Sequence, residues 1–374
     1  MNSLSCPNSS GSRLPLDGLI VLELGEQLSV SFAALRLADL GARVIKFEPM
    51  NDHNELCHRN KERYAYNPEC STTGRTLTRL IGQADVIIHS ICAEDNELRL
   101  PEAEAIRSMN PRTIIGIATA CVREGPWAEK PASELVIQSL TGMPWLNGDR
   151  DDPPMPFPIS VVELFTSANL VQGILSALIH RAATGEGMLV EVSLLESALD
   201  FQFEVLTTHL NDGGRLPQRS SISNAHAYLG APYGIYLTKE GYLALAMGSV
   251  TELGGLLACE PLAAYPERAS WFTKRDEIKR ILAEHLLTRS ASEWESLLES
   301  AGFWCARLQT IDELLHHECF AVLEMLQRVE TEDGAELEAL RCPIRIDGHR
   351  LPGASGLFAP GSHTVSIDEE FNLL

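Results

Sequence analysis

Apolar runs of strand length alternate with stretches of helical spacing along the first half of the chain. DGLIVLELG has the unbroken apolar run of a buried parallel strand, SFAALRLADLGA has helical spacing and is closed by Gly41, and RVIKFE is a second strand. The βαβ opening continues with ADVIIHS, a helix near Glu102 to Met109, TIIGIA, and a helix near Ala132 to Leu140. Such alternation predicts an α/β fold, a parallel sheet covered by helices on both faces. A stiff loop follows, GMPWLNGDRDDPPMPFP, with Pro144, Pro153, Pro154, Pro156 and Pro158. It leads into a long helix from about Glu163 to Ala183, with Leu164, Ala168, Val171, Leu175 and Leu178 on one stripe and Leu170 and Ile174 beside it. Asn169, Gly173, Ser176 and His180 give that helix one small or polar side. Gly185 and Gly187 end it, and MLVEVSLLE resumes as a strand. Beyond residue 210 the texture changes to a hairpin turned at KEG and helical runs near Lys274 to Leu287 and Ala291 to Ser300, which predicts a smaller α+β domain.

Composition narrows the functional classes. The chain has 374 residues, 45% hydrophobic and 22% charged, enough for two domains with buried cores. Its nine cysteines are odd in number, scattered and never spaced as C-x-x-C, so the expectation is a reduced, cytoplasmic protein without a disulfide framework. Residues 1–14 have the polar texture of a disordered tail, and no apolar stretch approaching membrane-span length follows. A formal net charge of -21 argues against nucleic acid or an anionic membrane as partner. Positive charge is nonetheless concentrated at Arg36, Arg43, Lys46, Arg59, Lys61 and Arg63, either as solvated faces or as a local site for a small anion.

Most motifs of enzyme chemistry are missing. LELGEQLSV lacks the glycine fingerprint of a dinucleotide site, and no G-x-S-x-G elbow occurs. His53, Cys57 and His58 are close in sequence without a fourth ligand, and His316 and His317 are adjacent, so they do not face a common ion on a helix. No metal site is expected. Glu163 stands out: an acid at the start of the long helix is either a residue favoured by the helix dipole or a nucleophile.

An ordered set of segments bears on this choice. PLDGLIVLELG, LADLGARVIKFEP, HRNKERYAYNP, ADVII, MNPRTIIGIATA, GILSALIHRAATGEG, VEVSLLESALDF, GIYLTKEGYLALAMG and GSHT together resemble the family III CoA-transferases, the CaiB/BaiF family, over about residues 15 to 370. The resemblance implies a Rossmann-like large domain from 15–210 and 328–374, a small domain over 211–327, and two subunits threaded as interlocked rings, a homodimer or a heteromer with a paralogue. The family's nucleophilic Asp stands ten residues before the GIL segment, and counting back ten from Gly173 gives Glu163. The implied activity moves CoA from an acyl-CoA donor to a carboxylic acid, through an enzyme glutamyl anhydride and thioester.

By the same resemblance Glu134 matches an acid that supports catalysis, and CoA is a substrate with no permanently bound cofactor; the dense basic cluster makes Arg43, Lys46, Arg59, Asn60 and Lys61 the expected CoA-binding residues. The chain departs from the family pattern at several points. Ser167 replaces a Gly, Cys121 and its neighbours replace a GFG turn, SICAE replaces NFRPG, and the early AGP turn reads SVS at residues 29–31. A silent subunit beside an active paralogue is one alternative; an acyl-CoA racemase or isomerase is the other, and Ser133 before Glu134, where racemase relatives carry His before Asp, counts against it because one half of the two-base proton transfer is missing.

Overall fold

The computed structural model describes residues 13–50, 55–91, 101–122, 127 and 133–373. Residues 1–12 of the expected tail, His53 and the CAE of SICAE lie outside them. The chain divides into two compact units, one of residues 1–137, 160–201 and 322–374, the other of 138–159 and 202–321.

The first unit is built on a six-stranded parallel sheet in the order β3-β2-β1-β4-β5-β6. Its strands are β1 (Ile20–Leu24), β2 (Arg43–Pro49), β3 (Lys61–Tyr66), β4 (Val86–Ile91), β5 (Ile114–Thr119) and β6 (Leu189–Ser193). Between them run α1 (Leu28–Asp39), α2 (Thr73–Gln83), α3 (Ala103–Met109), α4 (Glu134–Leu140, whose first turn belongs here) and α5 (Val161–Thr184), with α6 (Leu194–Phe201) after β6. The α/β reading thus holds. MLVEVSLLE, expected as strand throughout, leaves the sheet at Ser193 and turns helical at Leu194. Chain order reverses between β1 and β4, the point at which open sheets of this order form a ligand crevice beyond the carboxyl ends of the strands.

Both sheet faces are covered. On one, Val30, Ala34 and Leu37 of α1 and Leu170, Ile174 and Ala177 of α5 pack on Val21, Val44, Val86 and Ile88. On the other, Leu77 and Ile81 of α2 and Ile106 of α3 pack on Leu22, Ile45 and Ile87. Leu170 and Ile174 are wholly buried, each stabilising the fold by about 1.5–3 kcal/mol. The buried stripe of α5 therefore runs through Leu170, Ile174 and Ala177, whereas Leu164, expected on the core stripe, is exposed. The cause is the helix's small side: a Cβ on Gly173 would fall 2.5 Å from Val190 Cγ1, so the glycine lets α5 lie directly on β6. By length and composition α5 alone among the described helices is apolar enough to cross a membrane, yet this stripe forms part of the core.

In the second unit, α7 (Phe203–Asn211) precedes an antiparallel sheet of β7 (Gly234–Leu237), β8 (Tyr242–Leu245) and β9 (Cys305–Arg307), turned at Lys239–Gly241 between the first two. Helices α8 (Val250–Leu257), α9 (Ser270–Thr273), α10 (Arg275–Leu286), α11 (Ala291–Ser300), α12 (Ile311–His316) and α13 (Glu318–Leu323) complete it, the last reaching into the first unit. Trp294 is its buried centre, and the indole donates to the Leu286 carbonyl at 2.9 Å. The α+β texture read from the sequence is thus present.

The chain then returns to the first unit as the hairpin β10 (Leu326–Glu330) and β11 (Glu336–Leu340), the short pair β12 (Arg345–Ile346) and β13 (His349–Arg350), and α14 (Thr364–Phe371). The segment leading into α14 covers edge strand β3. Arg63 N–H donates to His363 Nδ1 at 3.1 Å, and His363 N–H donates back to the Arg63 carbonyl at 3.1 Å. Tyr64 O–H on Asp368 and a bidentate Arg43–Glu370 pair extend the same seam.

Candidate active site

Glu163 lies in the first turn of α5 and is 9% exposed. Two carboxylates and two helix starts meet there. Glu134, opening α4, accepts the backbone N–H groups of Val162 and Glu163 on its two oxygens, each at 3.0 Å. It satisfies amides that the first turn of a helix leaves without intrahelical partners. The Glu163 carboxylate reaches in turn to the start of α1, where Oε2 accepts the N–H of Ser29 at 3.0 Å across 134 residues of sequence. Each carboxylate thus faces the positive end of a helix dipole. Ser29 follows β1, the strand beside the reversal of chain order, so the pair lies at the carboxyl side of the sheet.

Burial raises the pKa of Glu163; hydrogen bonds from Ser29 oppose the shift, and the nearby charge of Glu134 adds to it. The carboxylate is partly stripped of water yet held by a fixed donor.

The residues expected to bind CoA are placed otherwise. Lys46 and Lys61 are wholly buried and flank one carboxylate, Glu23 of β1, at 3.2 and 2.7 Å. Lys46 donates to the carbonyl of Gly25, and Lys61 donates to that of Ser31 at 2.9 Å. The two ammoniums therefore grip both ends of the turn that carries Ser29. Burial alone would push Glu23 up, but the two lysines override it and hold the carboxyl down at about 2, while burial lowers Lys61. Arg59 pairs with buried Asp39, which also accepts from Asn60 Nδ2 at 3.1 Å, and Asn60 Oδ1 accepts the Ser355 N–H at 2.6 Å. Arg43 is shared between Glu62 and Glu370, which together hold its pKa above the usual value. In this arrangement the five side chains bind one another's neighbourhood, and the two lysines are closed off from solvent.

Cys57 and His58 lie in a 3-10 turn, and His58 is buried within reach of Lys61 at 3.5 Å. His316 faces the carbonyl of Asp312 and His317 faces Cys319. Among the described residues no group of three or more His, Cys, Asp or Glu is placed to hold a metal ion. Ser29 and Glu23 were missed as site residues by the sequence reading. For Glu23 a signal existed: an acid in the middle of the apolar strand IVLEL needs a buried cation. For Ser29 there was none, because its contact is made by a backbone amide.

Comparison with known proteins gives the family. Residues 16–364 match CoA-transferase family III. The chain is 25% identical to the succinate–glutarate CoA-transferase of Agrobacterium fabrum, covering 88% of this chain and 89% of that protein. It is 26% identical to the succinyl-CoA:mesaconate CoA-transferase of Haloarcula hispanica, covering 95% and 94%. Among solved structures it superposes on a CAIB/BAIF family protein from Brucella suis with TM-score 0.80 at 24% identity, covering 96% of this chain and all 100% of that one, which shows the shared fold. With the match spanning nearly the whole chain, the protein belongs to the family III CoA-transferases, the CaiB/BaiF family.

Proposed function

We propose that this CoA-transferase works through Glu163 as the covalent carrier of CoA. The observation that carries the reading is the setting of that carboxylate: buried, at the start of one helix, with one oxygen held by the first-turn amide of another. A carboxylate that has shed water and is held in place meets a thioester carbon with less reorganisation than one in solution. Attack on the donor thioester gives a mixed anhydride and CoA thiolate; the thiolate then converts the anhydride into a glutamyl-CoA thioester, and the acceptor carboxylate reverses the sequence. Glu134 positions the nucleophile by holding the amides of Val162 and of Glu163 itself. The named substrates of the relatives above, succinate, glutarate and mesaconate, are dicarboxylates, which supports testing a dicarboxylate acceptor first.

A second copy of the chain is the proposed partner, in the cytoplasm, and the exposed apolar side chains of Leu164, Ile179, Leu199 and Phe201 on α5 and α6 support it. The test of the nucleophile is chemical. Hydroxylamine added during turnover with succinyl-CoA should leave a hydroxamate on the peptide containing Glu163, and Glu163→Gln should abolish both exchange and trapping. Wild-type turnover by Glu163→Gln would remove the residue from the chemistry.

A further inference from the structure

We infer that Ser29 is a catalytic residue of this site, its hydroxyl giving the second hydrogen bond to Oε2 of Glu163 when that oxygen becomes an oxyanion. The inference rests on Glu163 being the nucleophile and adds a residue to which nothing above assigns side-chain chemistry. Ser29 is 0% exposed, and its amide already holds Oε2 at 3.0 Å. Its hydroxyl is buried and has no partner at ordinary hydrogen-bond geometry in the resting site, and the Ser29 side chain favours the ionised form of Glu163. A buried hydroxyl left without a partner destabilises a fold, and alanine fills the same space without that penalty. Ser31 also has a buried hydroxyl without a partner, but its amide is turned to the Gln27 carbonyl. Ser29 alone of the two has its amide on Glu163. It is also the second residue of the 12-residue α1, where the helix dipole adds positive potential.

The two oxygens of Glu163 then have separate tasks. Oε1 attacks the thioester carbon; the C–O bond forms as the C–S bond breaks, CoA leaves as thiolate, and Oε2 becomes the carbonyl oxygen of the glutamyl half of the anhydride. The thiolate next attacks Cδ of Glu163, and the carbonyl electron pair moves onto Oε2. Collapse expels the donor carboxylate with Oε1 and leaves the thioester. No proton is gained or lost. The full negative charge on Oε2 in that intermediate is what a second donor stabilises, since such a donor acts more strongly on the oxyanion than on the resting carboxylate.

Ser29→Ala removes the hydroxyl and keeps the amide and the helix. With succinyl-CoA as donor and glutarate as acceptor, kcat should fall about a hundredfold with KM little changed, and the acid limb of the pH profile should move to higher pH. A second readout needs no turnover. In carbon-13 carboxyl NMR of glutamate-labelled protein, with Glu163→Gln identifying the Glu163 signal, the titration midpoint of Glu163 should rise in Ser29→Ala. Unchanged kcat and an unmoved midpoint overturn the inference, and where neither protein turns over these substrates the midpoint alone decides. Wild-type turnover by Glu163→Gln overturns the nucleophile itself and this inference with it; an inactive Glu163→Gln beside a fully active Ser29→Ala overturns the role of Ser29 only.

Discussion

Lys61 Nζ donates to the carbonyl oxygen of Ser31 at 2.9 Å, so a wholly buried cation fixes the first turn of the helix that faces Glu163. The same ammonium lies 2.7 Å from Glu23, which also holds Lys46. Removing one member of such a cluster leaves charge uncompensated in the interior. Lys61→Ala is expected to lower stability by about 3–5 kcal/mol in urea unfolding, while CoA binding by the protein that remains folded keeps its salt dependence. A flattened salt dependence with full stability would instead make Lys61 a phosphate contact.

Glu163→Gln is expected to gain stability as it loses activity. The folded-state pKa of Glu163 is raised, by burial first, so the fold favours the protonated form. The stability this group contributes is present below the ordinary carboxylate pKa and is lost as pH rises through the folded value. A permanently neutral glutamine escapes that loss. The variant should therefore melt above wild type at pH 7, and the two should converge in acid. A lower melting temperature at pH 7 would mean that the bond from Ser29 outweighs desolvation.

Glu134→Ala removes the acceptor of two first-turn amides of α5. Loss of a helix-capping side chain costs about 0.5–2 kcal/mol. Because the amide of Glu163 itself is released, kcat should fall more than KM rises. Glu134 also raises the Glu163 pKa, so the acid limb of activity should move to lower pH in Glu134→Gln. A pH profile unchanged in both variants would confine Glu134 to capping.

His363 should make the C-terminal seam sensitive to acid. Its Nδ1 accepts the Arg63 N–H and is therefore unprotonated in the fold; burial lowers its pKa, with Arg43 and Arg63 adding to the shift against Glu62 and Glu332. The unfolded chain takes up the proton first, so the stability from this contact is complete above about pH 6.5 and is lost as pH falls towards the lower folded value. In His363→Asn a side-chain oxygen can accept from Arg63 without titrating. Guanidinium unfolding of wild type and variant across pH 5 to 7 should show the slope only in wild type.

The sheet and its helices were legible because buried parallel strands such as IVLEL and TIIGIA are written as apolar runs. Strand β3 was hidden, since KERYAY opens with charges that the structure buries against Glu23 and Glu48. The same ambiguity hid the pairing of Lys46 and Lys61: a run of basic residues looks solvated unless the acid that neutralises it, here upstream in β1, is read as buried. The start of the long helix near Glu163 was legible from its apolar stripe. The contact of Glu163 with position 29 was not, because every residue type but proline can supply a backbone N–H there.

The pairing of Arg63 with His363 ties β3 to a segment 300 residues further along the chain. On the ribosome β3 emerges some 300 residues before its cover, and until then its outer N–H and C=O groups are an open template for another chain. Premature termination near residue 355 would spare Glu163, Ser29 and all six parallel strands, yet leave a nascent protein prone to self-association. Translation past residue 355 is thus what seals the sheet.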